Sequence, residues 1–389
     1  MSKILFVMKY PLEDAYSVKN KFNGQMQAVE ALGHEAYFVA YDHQYTYLIR
    51  GEQKTVIKKI WFGDWKQYIH TKAFFDLFDS VCRVLKKHSF DMVYMRDCPL
   101  NAYGSRMCAK VGKSGARFVV EIPTYPPERE SQPTFLRRAY IKYSRFWWKR
   151  AERHTDLFVL IGDQADNYHG VPAINIDNGT HVDSHPCRQP QPDKDKIHML
   201  ALASMSMWHG YDRIIRGIAA LDADTKKRVV LDMVGDEGDG SLTKWKDLTK
   251  ELGVEEQVIF HGRKIGQELD YFFNVADVGI CSLGLYRIGF SSGSILKLRE
   301  YTSRGLPFVY AAEDPLVQER LVFTCKIPND DTPVDVAEVI AFAQRMREEK
   351  DVATAMREYA REHMSWESQF EKVFDTLESV LERTAGGQK

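Results

Sequence analysis

Short apolar runs alternate with longer amphipathic stretches along this chain, stop at a proline-bearing linker, and then begin again. In the first half, residues 4–8, 36–40, 92–95, 118–121 and 157–161 read as buried strands, with helical periodicity between them at about residues 18–32, 72–87, 102–111 and 135–154. Strands of this kind separated by helices require parallel pairing and right-handed crossovers, which means a doubly wound α/β domain. After Gln189-Pro190-Gln191-Pro192-Asp193-Lys194 the pattern restarts, with strands at 197–203, 229–234, 258–260, 278–281 and 308–311 and helices at about 212–221, 242–251, 266–274 and 294–304. Two Rossmann-like domains are therefore expected, at residues 1–188 and 189–364. Residues 365–389 should form a last helix, capped at Ser365-Trp366-Glu367, whose indole docks it back on the first domain. In open parallel sheets ligands sit beyond the carboxyl ends of the strands, so the site is expected in a cleft between two facing domains.

The size of the chain, 389 residues, suits two domains. A composition that is 44% hydrophobic and 28% charged is that of an ordinary globular protein. A net charge of -1 excludes nucleic acid as the main partner, because gripping a phosphate backbone needs a broad basic field. Cys82, Cys98, Cys108, Cys187, Cys281 and Cys325 are scattered without a C-x-x-C pair, so neither a metal cluster nor a disulfide framework is expected. The first apolar run breaks at Lys9-Tyr10-Pro11, too early for a signal peptide, and no later run reaches about 18 apolar residues. A cytoplasmic protein is the expectation.

The most specific local feature is Gly289-Phe290-Ser291-Ser292-Gly293-Ser294, which empties into a helix bearing Lys297, Arg299 and Glu300 and ending at Gly305-Leu306-Pro307. The first N–H groups of a helix have no partners within it, the macrodipole favours an anion there, and small residues let that anion approach. In the first half, Lys19, Asn23 and Gly24 follow the first strand, while Arg96, Asp97 and Glu121 close later strands and so face the same expected cleft. Tyr125-Pro126-Pro127 reads as a rigid lip beside them. Glu121 is the candidate for binding ligand hydroxyls, with Lys19, Asn23, Arg96, Asp97 and Tyr125 around it.

Glu121-Ile122-Pro123-Thr124-Tyr125-Pro126, Asn178-Gly179-Thr180, Trp208-His209-Gly210-Tyr211-Asp212-Arg213, Phe260-His261-Gly262-Arg263, Ala276-Asp277-Val278-Gly279 and Lys297-Leu298-Arg299-Glu300-Tyr301 occur in an order that resembles the GT-B glycosyltransferases of family 4, and within them bacterial exopolysaccharide-type sugar transferases. The resemblance covers nearly the whole chain. It implies a second domain that binds a sugar nucleotide, with Glu300 as the second glutamate of a Glu-x7-Glu motif accepting hydrogen bonds from ribose hydroxyls. Ser292 stands where the first glutamate would be. His209 precedes Gly210 where the family has lysine, so Lys297 and Arg287 are expected to neutralise the leaving diphosphate in its place. Gly289, Ser291, Ser292, Gly293 and Ser294 would cradle the phosphates, Gly262 and Arg263 would border the nucleobase, and Gly24 would approach the donor from the first domain. The resemblance also implies retention of anomeric configuration, no cofactor beyond the sugar nucleotide as co-substrate, and no metal.

Basic and aromatic residues interleave from Phe135 to Arg150 with almost no acids, as in a helix that lies on an anionic membrane surface. That would suit a lipid-linked glycan acceptor. The expected function is a retaining transfer from a nucleoside-diphosphate sugar, UDP-linked, to a glycan or glycolipid hydroxyl in bacterial surface polysaccharide synthesis. The alternatives are a non-catalytic partner subunit stabilising another transferase, which the missing glutamate and lysine favour, and a sugar-nucleotide epimerase, which would need more cleft acids and histidines than the motifs supply.

Overall fold

The two runs of strands and helices build two separate sheets. The structure is a computed structural model that describes residues 1–11, 16–42, 44–60, 69–126, 135–317 and 321–386. Contacts divide the chain into Met1–Gly179 with Trp366–Lys389, and Thr180–Ser365. Residues 180–188 therefore pack with the second unit, ahead of the proline-bearing linker.

The first unit contains β1 (Lys3–Pro11), β2 (Glu35–Tyr41), β3 (Tyr45–Arg50), β4 (Gln53–Lys59), β5 (Met92–Arg96), β6 (Arg117–Tyr125), β7 (Leu157–Gly162), β8 (Asn167–Tyr168) and β9 (Val171–Asn175). They lie in the order β4-β3-β2-β1-β5-β6-β7-β9-β8. The centre is parallel, whereas β3, β4 and β8 join antiparallel at the edges. Around the sheet run α1 (Tyr16–Ala31), α2 (Ile69–Lys87), α3 (Ala102–Lys113) and α4 (Phe135–Ala151). Burial of β1 on both faces explains its unbroken apolar run. Leu5 and Val7 enter a core with Leu77, Phe78 and Met107 on one side, while Ile4, Phe6 and Met8 meet Phe22, Met26 and Phe370 on the other.

The second unit has β10 (Ile197–Leu202), β11 (Val229–Val234), β12 (Val258–Gly262), β13 (Val278–Ile280), β14 (Phe308–Tyr310) and β15 (Thr324–Lys326), in the order β12-β11-β10-β13-β14-β15 and parallel throughout. Its helices are α5 (Tyr211–Ala219), α6 (Ala223–Lys226), α7 (Ser241–Glu251), α8 (Gln267–Val275), α9 (Leu296–Arg304), α10 (Val336–Glu348) and α11 (Val352–Tyr359). A last helix, α12 (Trp366–Gly386), belongs to the first unit. Trp366 is buried in that unit's core, and Gly179 leaves room for it, since a Cβ there would stand 2.8 Å from the indole.

The strand order reverses between β1 and β5 in one sheet and between β10 and β13 in the other. Such switch points open a crevice at the carboxyl ends of the strands. At the second one, glycines allow loops to meet backbone to backbone. Gly210 has φ +61, and a Cβ on it would lie 2.6 Å from the Gly284 nitrogen. Gly235, at φ +140, sits directly against the Ala203 carbonyl oxygen, and Gly238 against Met205 and Ser206.

Replacing Gly235 by Ala should therefore strain the backbone and force the β10 and β11 ends apart, lowering stability by about 2–3 kcal/mol. Gly240, at φ +88 with nothing within 4 Å, provides the control, since Ala there meets strain alone. Urea denaturation that ranks Gly240→Ala as equally or more destabilising would remove the close-contact argument.

Candidate active site

The loop after β10, the turn after β13 and the start of α9 converge at the switch point of the second unit. Leu283 N–H donates to the His209 carbonyl at 2.8 Å and Gly284 N–H to the Trp208 carbonyl at 3.2 Å, stitching the first two together. Arg213, buried on α5, donates to the carbonyls of Leu283, Pro328 and Thr332 and so ties the 328–332 loop to the same turn. Asp239 accepts from Met207 N–H at 3.0 Å.

Helix α9 begins at Leu296, later than the sequence pattern suggests, with Ile295 as its N-cap. Asp314 takes the Ile295 N–H at 2.9 Å and forms a buried ion pair with Arg299. Ser294 Oγ accepts from Arg299 at 3.2 Å. Two of the amides expected to hold phosphate are otherwise occupied: Gly289 N–H donates to the Tyr286 carbonyl at 3.0 Å, and Gly293 N–H to the Glu313 carbonyl at 2.9 Å in a short bridge that pairs Ser292 with Glu313. The N–H groups of Leu296 and Lys297 have no acceptor among the described residues. Gly289, at φ +80, closes the turn before this loop, and Ser291 is exposed.

Lys297 is half-buried at this helix end and donates to the Tyr211 hydroxyl at 2.8 Å. No carboxylate lies within ion-pair distance of it among the described residues. Burial pulls its pKa down to about 7, against opposing pulls from Cys281 and Glu300. The His209 ring stacks on Tyr211 at 5.6 Å. Burial, with the Lys297 charge adding to it, holds the His209 pKa at about 2, so this ring stays neutral. Lys297 thus meets Tyr211, the residue that follows Gly210.

Arg287, unlike Lys297, is held by carboxylates. Asp212 grips it with two bonds, at 2.7 and 2.8 Å, and Asp331 adds a third at 2.6 Å. These bonds raise its pKa and neutralise its charge, so it acts as a clamp on the 285–288 turn. Glu300 accepts from Arg304 at 3.1 Å and lies 4.0 Å from His185, leaving a half-buried carboxylate with an oxygen to offer. Gly262 takes φ +65 at the end of β12, beside an exposed Arg263.

In the first unit the structure corrects the expectation for Glu121. It is fully buried and accepts from Lys21 at 2.9 Å, Gln25 at 2.7 Å and the Tyr94 hydroxyl at 2.8 Å, with Arg96 at 3.7 Å. Burial alone would raise its pKa, but Lys21 and Arg96 outweigh that and hold it at about 2. No acceptor hydroxyl reaches a carboxylate enclosed in this way, so its role is to anchor α1 against β5 and β6. Lys21 also lies over the Trp366 ring at 5.4 Å. Gly24 is buried in the middle of α1 rather than in a loop, which removes it as a point of phosphate approach. Asn23 is exposed on the same helix, and the Lys19 side chain lies outside the described residues. Arg96 and Asp97 stand at the carboxyl end of β5, Asp97 N–H donating to the Glu121 carbonyl at 2.7 Å. Tyr125, joined to Pro126 by a cis peptide, packs edge-on against Tyr168 at 5.6 Å.

Glu121→Gln should leave Lys21 and Arg96 buried without a countercharge, a loss of about 3–5 kcal/mol. The depressed carboxyl contributes stability that is present above the unfolded pKa of about 4.3 and is lost as pH falls toward about 2. Wild type should thus lose stability across that window and the variant should change less. Parallel pH–stability curves for the two would contradict the assignment.

No family model matches the sequence, and no curated protein matches it. Solved structures match it in shape. HepE of Anabaena, solved in complex with UDP, is similar at a TM-score of 0.58 and 12% identity, over 97% of this chain and 100% of that one. Sucrose-phosphate synthase from Thermosynechococcus elongatus gives 0.59 and 12%, over 97% and 100%. The catalytic domain of starch synthase IV from Arabidopsis thaliana, bound to ADP and acarbose, gives 0.62 and 10%, over 98% and 99%. With two parallel Rossmann-like sheets and this likeness along its whole length, the chain has the GT-B fold.

Proposed function

We propose that this chain is a glycosyltransferase that takes its sugar from a nucleoside diphosphate held by the second unit. The observation that carries the reading is Lys297, a half-buried cation without a carboxylate partner among the described residues, beside two open amides at the start of α9 and at the switch point of a parallel sheet. An anion is the missing partner of that arrangement. HepE was solved with UDP and with UDP-glucose, and the starch synthase with ADP, which supports a nucleoside diphosphate as that anion and UDP as the first to try.

Breaking the anomeric bond builds negative charge on the diphosphate. Lys297 and the α9 amides are placed to stabilise it as it forms, and no metal is required by that arrangement. Glu300 serves the ribose hydroxyls, Gly262 and Arg263 the base, and Ser292 the sugar. The leaving phosphate accepts the proton of the attacking hydroxyl, retention follows, and Arg96, Asp97, Asn23 and Tyr125 contribute to acceptor binding. One observation favours the non-catalytic partner reading: Arg287 is already neutralised by Asp212 and Asp331, so Lys297 carries the charge at this corner without it. Turnover of a sugar nucleotide separates the two readings.

Acceptor chemistry rests on α4. Among its described side chains Ile141, Tyr143 and Phe146 are exposed, as are Lys142, Arg145, Lys149 and Arg150. The aromatic cluster divides, because Trp148 donates to the Cys98 carbonyl at 3.2 Å and packs on the core, while Phe146 points outward under Arg150 at 3.9 Å. The side chains of residues 135–140 lie outside the described set. A basic face with exposed aromatics suits an anionic lipid surface and hence a lipid-linked glycan, as in surface polysaccharide synthesis. No helix among the described residues is long and apolar enough to cross a membrane.

Binding of UDP should depend on Lys297 and on pH. The lysine is charged below about pH 7, so affinity should hold there and fall as pH rises above it, with proton uptake on binding. Lys297→Ala should weaken binding about 10- to 150-fold, and Lys297→Arg should flatten the pH profile. Calorimetry in which the Ala variant binds UDP as wild type does would exclude Lys297 from the site. Sedimentation with anionic vesicles should be reduced by salt and by Arg145→Glu/Lys149→Glu together, since each basic residue near the surface contributes about 1 kcal/mol. Wild type left in the supernatant at low salt would point to a soluble acceptor.

A further inference from the structure

We propose that His209 is a neutral hydrogen-bond donor to the diphosphate, its tautomer fixed by the loop that carries it. The inference rests on the reading of the second unit as a nucleotide site. Backbone geometry sets the tautomer: Ser206 N–H donates to His209 Nδ1 at 3.1 Å, so Nδ1 is the acceptor and the proton of the neutral ring sits on Nε2. The Nε2–H has no acceptor among the described residues, and it is not among the enclosed polar atoms that lack one, so this edge of an otherwise buried ring meets solvent. Its position ties it to Lys297 through one shared neighbour. The ring stacks on Tyr211, with an interplanar angle of 17°, and the Tyr211 hydroxyl accepts from Lys297 Nζ at 2.8 Å.

Two contacts hold the loop that carries the ring: Gly210 lies against Gly284, and Leu283 N–H donates to the His209 carbonyl. A cation and a neutral donor therefore share one corner of the switch point. An oxyanion there receives a charged contact from Lys297 and an uncharged one from His209. Protonating the ring would require Nδ1 to give up the Ser206 amide, so His209 donates without adding charge beside the lysine.

Asn and Gln substitutions separate the two edges of the ring. In His209→Asn the new side-chain oxygen takes the place of Nδ1, keeping the Ser206 bond and losing the Nε2–H, whereas His209→Gln keeps a donor near Nε2 and loses the bond to Ser206. Calorimetry with UDP and uridine, together with melting curves, reads both. His209→Asn should melt near wild type and bind UDP about ten- to a hundredfold more weakly, with uridine binding unchanged. His209→Gln should melt lower and keep more of the UDP affinity. Wild type that binds no UDP, ADP or GDP overturns the nucleotide-site reading itself. Wild type that binds UDP while His209→Asn binds it within twofold overturns the role of His209. If His209→Asn fails to fold, the 15N spectrum of labelled wild type decides: Nε2 should move on saturation with UDP while Nδ1 does not, and a stationary Nε2 resonance overturns the proposal.

Discussion

Backbone contact between the loops at the carboxyl ends of β10, β11 and β13 is the constraint on which the second unit depends. Side chains at Gly210, Gly235 or Gly238 would hold these loops apart by the width of a methyl group or more. Because they touch, the amides of Ala203 and Met205 reach the carbonyls of Val234 and Asp236, those of Leu283 and Gly284 reach the carbonyls of His209 and Trp208, and the rings of His209 and Tyr211 stack on one another. That platform is what Lys297 rests on. Asp314 performs the matching task on the other side, taking the amide of Ile295, the N-cap of α9, and binding Arg299.

Charge balance then separates Lys297 from the other cations of the second unit. Arg213, Arg287, Arg299 and Arg304 are all held by carbonyls or carboxylates of the same unit. Lys297 has a phenol and, among the described residues, nothing of opposite charge within reach, and its depressed pKa registers the desolvation that this leaves uncompensated. A phosphate oxygen about 4 Å away would return about 4 kcal/mol at an effective dielectric of about 20, enough to hold the lysine protonated and the anion in place. In the first unit the logic reverses. Glu121 is surrounded by Lys21, Gln25, Tyr94 and Arg96, so its charge is satisfied internally and serves packing.

Much of the architecture is legible in the sequence because parallel strands are buried on both faces and appear as continuous apolar runs, as with residues 4–8 and 157–161. The edge strands are not. Residues 45–59 carry several charges and few buried positions, and pair antiparallel where no crossover helix announces them. The place of Lys297 at the start of α9 is visible in the sequence, whereas its burial and its bond to Tyr211 are not. Arg287 misleads because its partners Asp212 and Asp331 lie far off along the chain and meet it only after folding. The donors to Glu121 carry a weak signal, Lys21 and Gln25 being one helical turn apart on α1. Ser206 stands three residues before His209, the spacing of a capping interaction, and that spacing is the available sign that Nδ1 is occupied.

The central claim is that the start of α9 and Lys297 bind the diphosphate of a sugar nucleotide. A crystal structure of the chain with UDP tests it most directly. The account predicts phosphate oxygens within hydrogen-bond distance of the Leu296 and Lys297 amides and of Lys297 Nζ. UDP bound elsewhere, with Lys297 still on the Tyr211 hydroxyl alone, would contradict it.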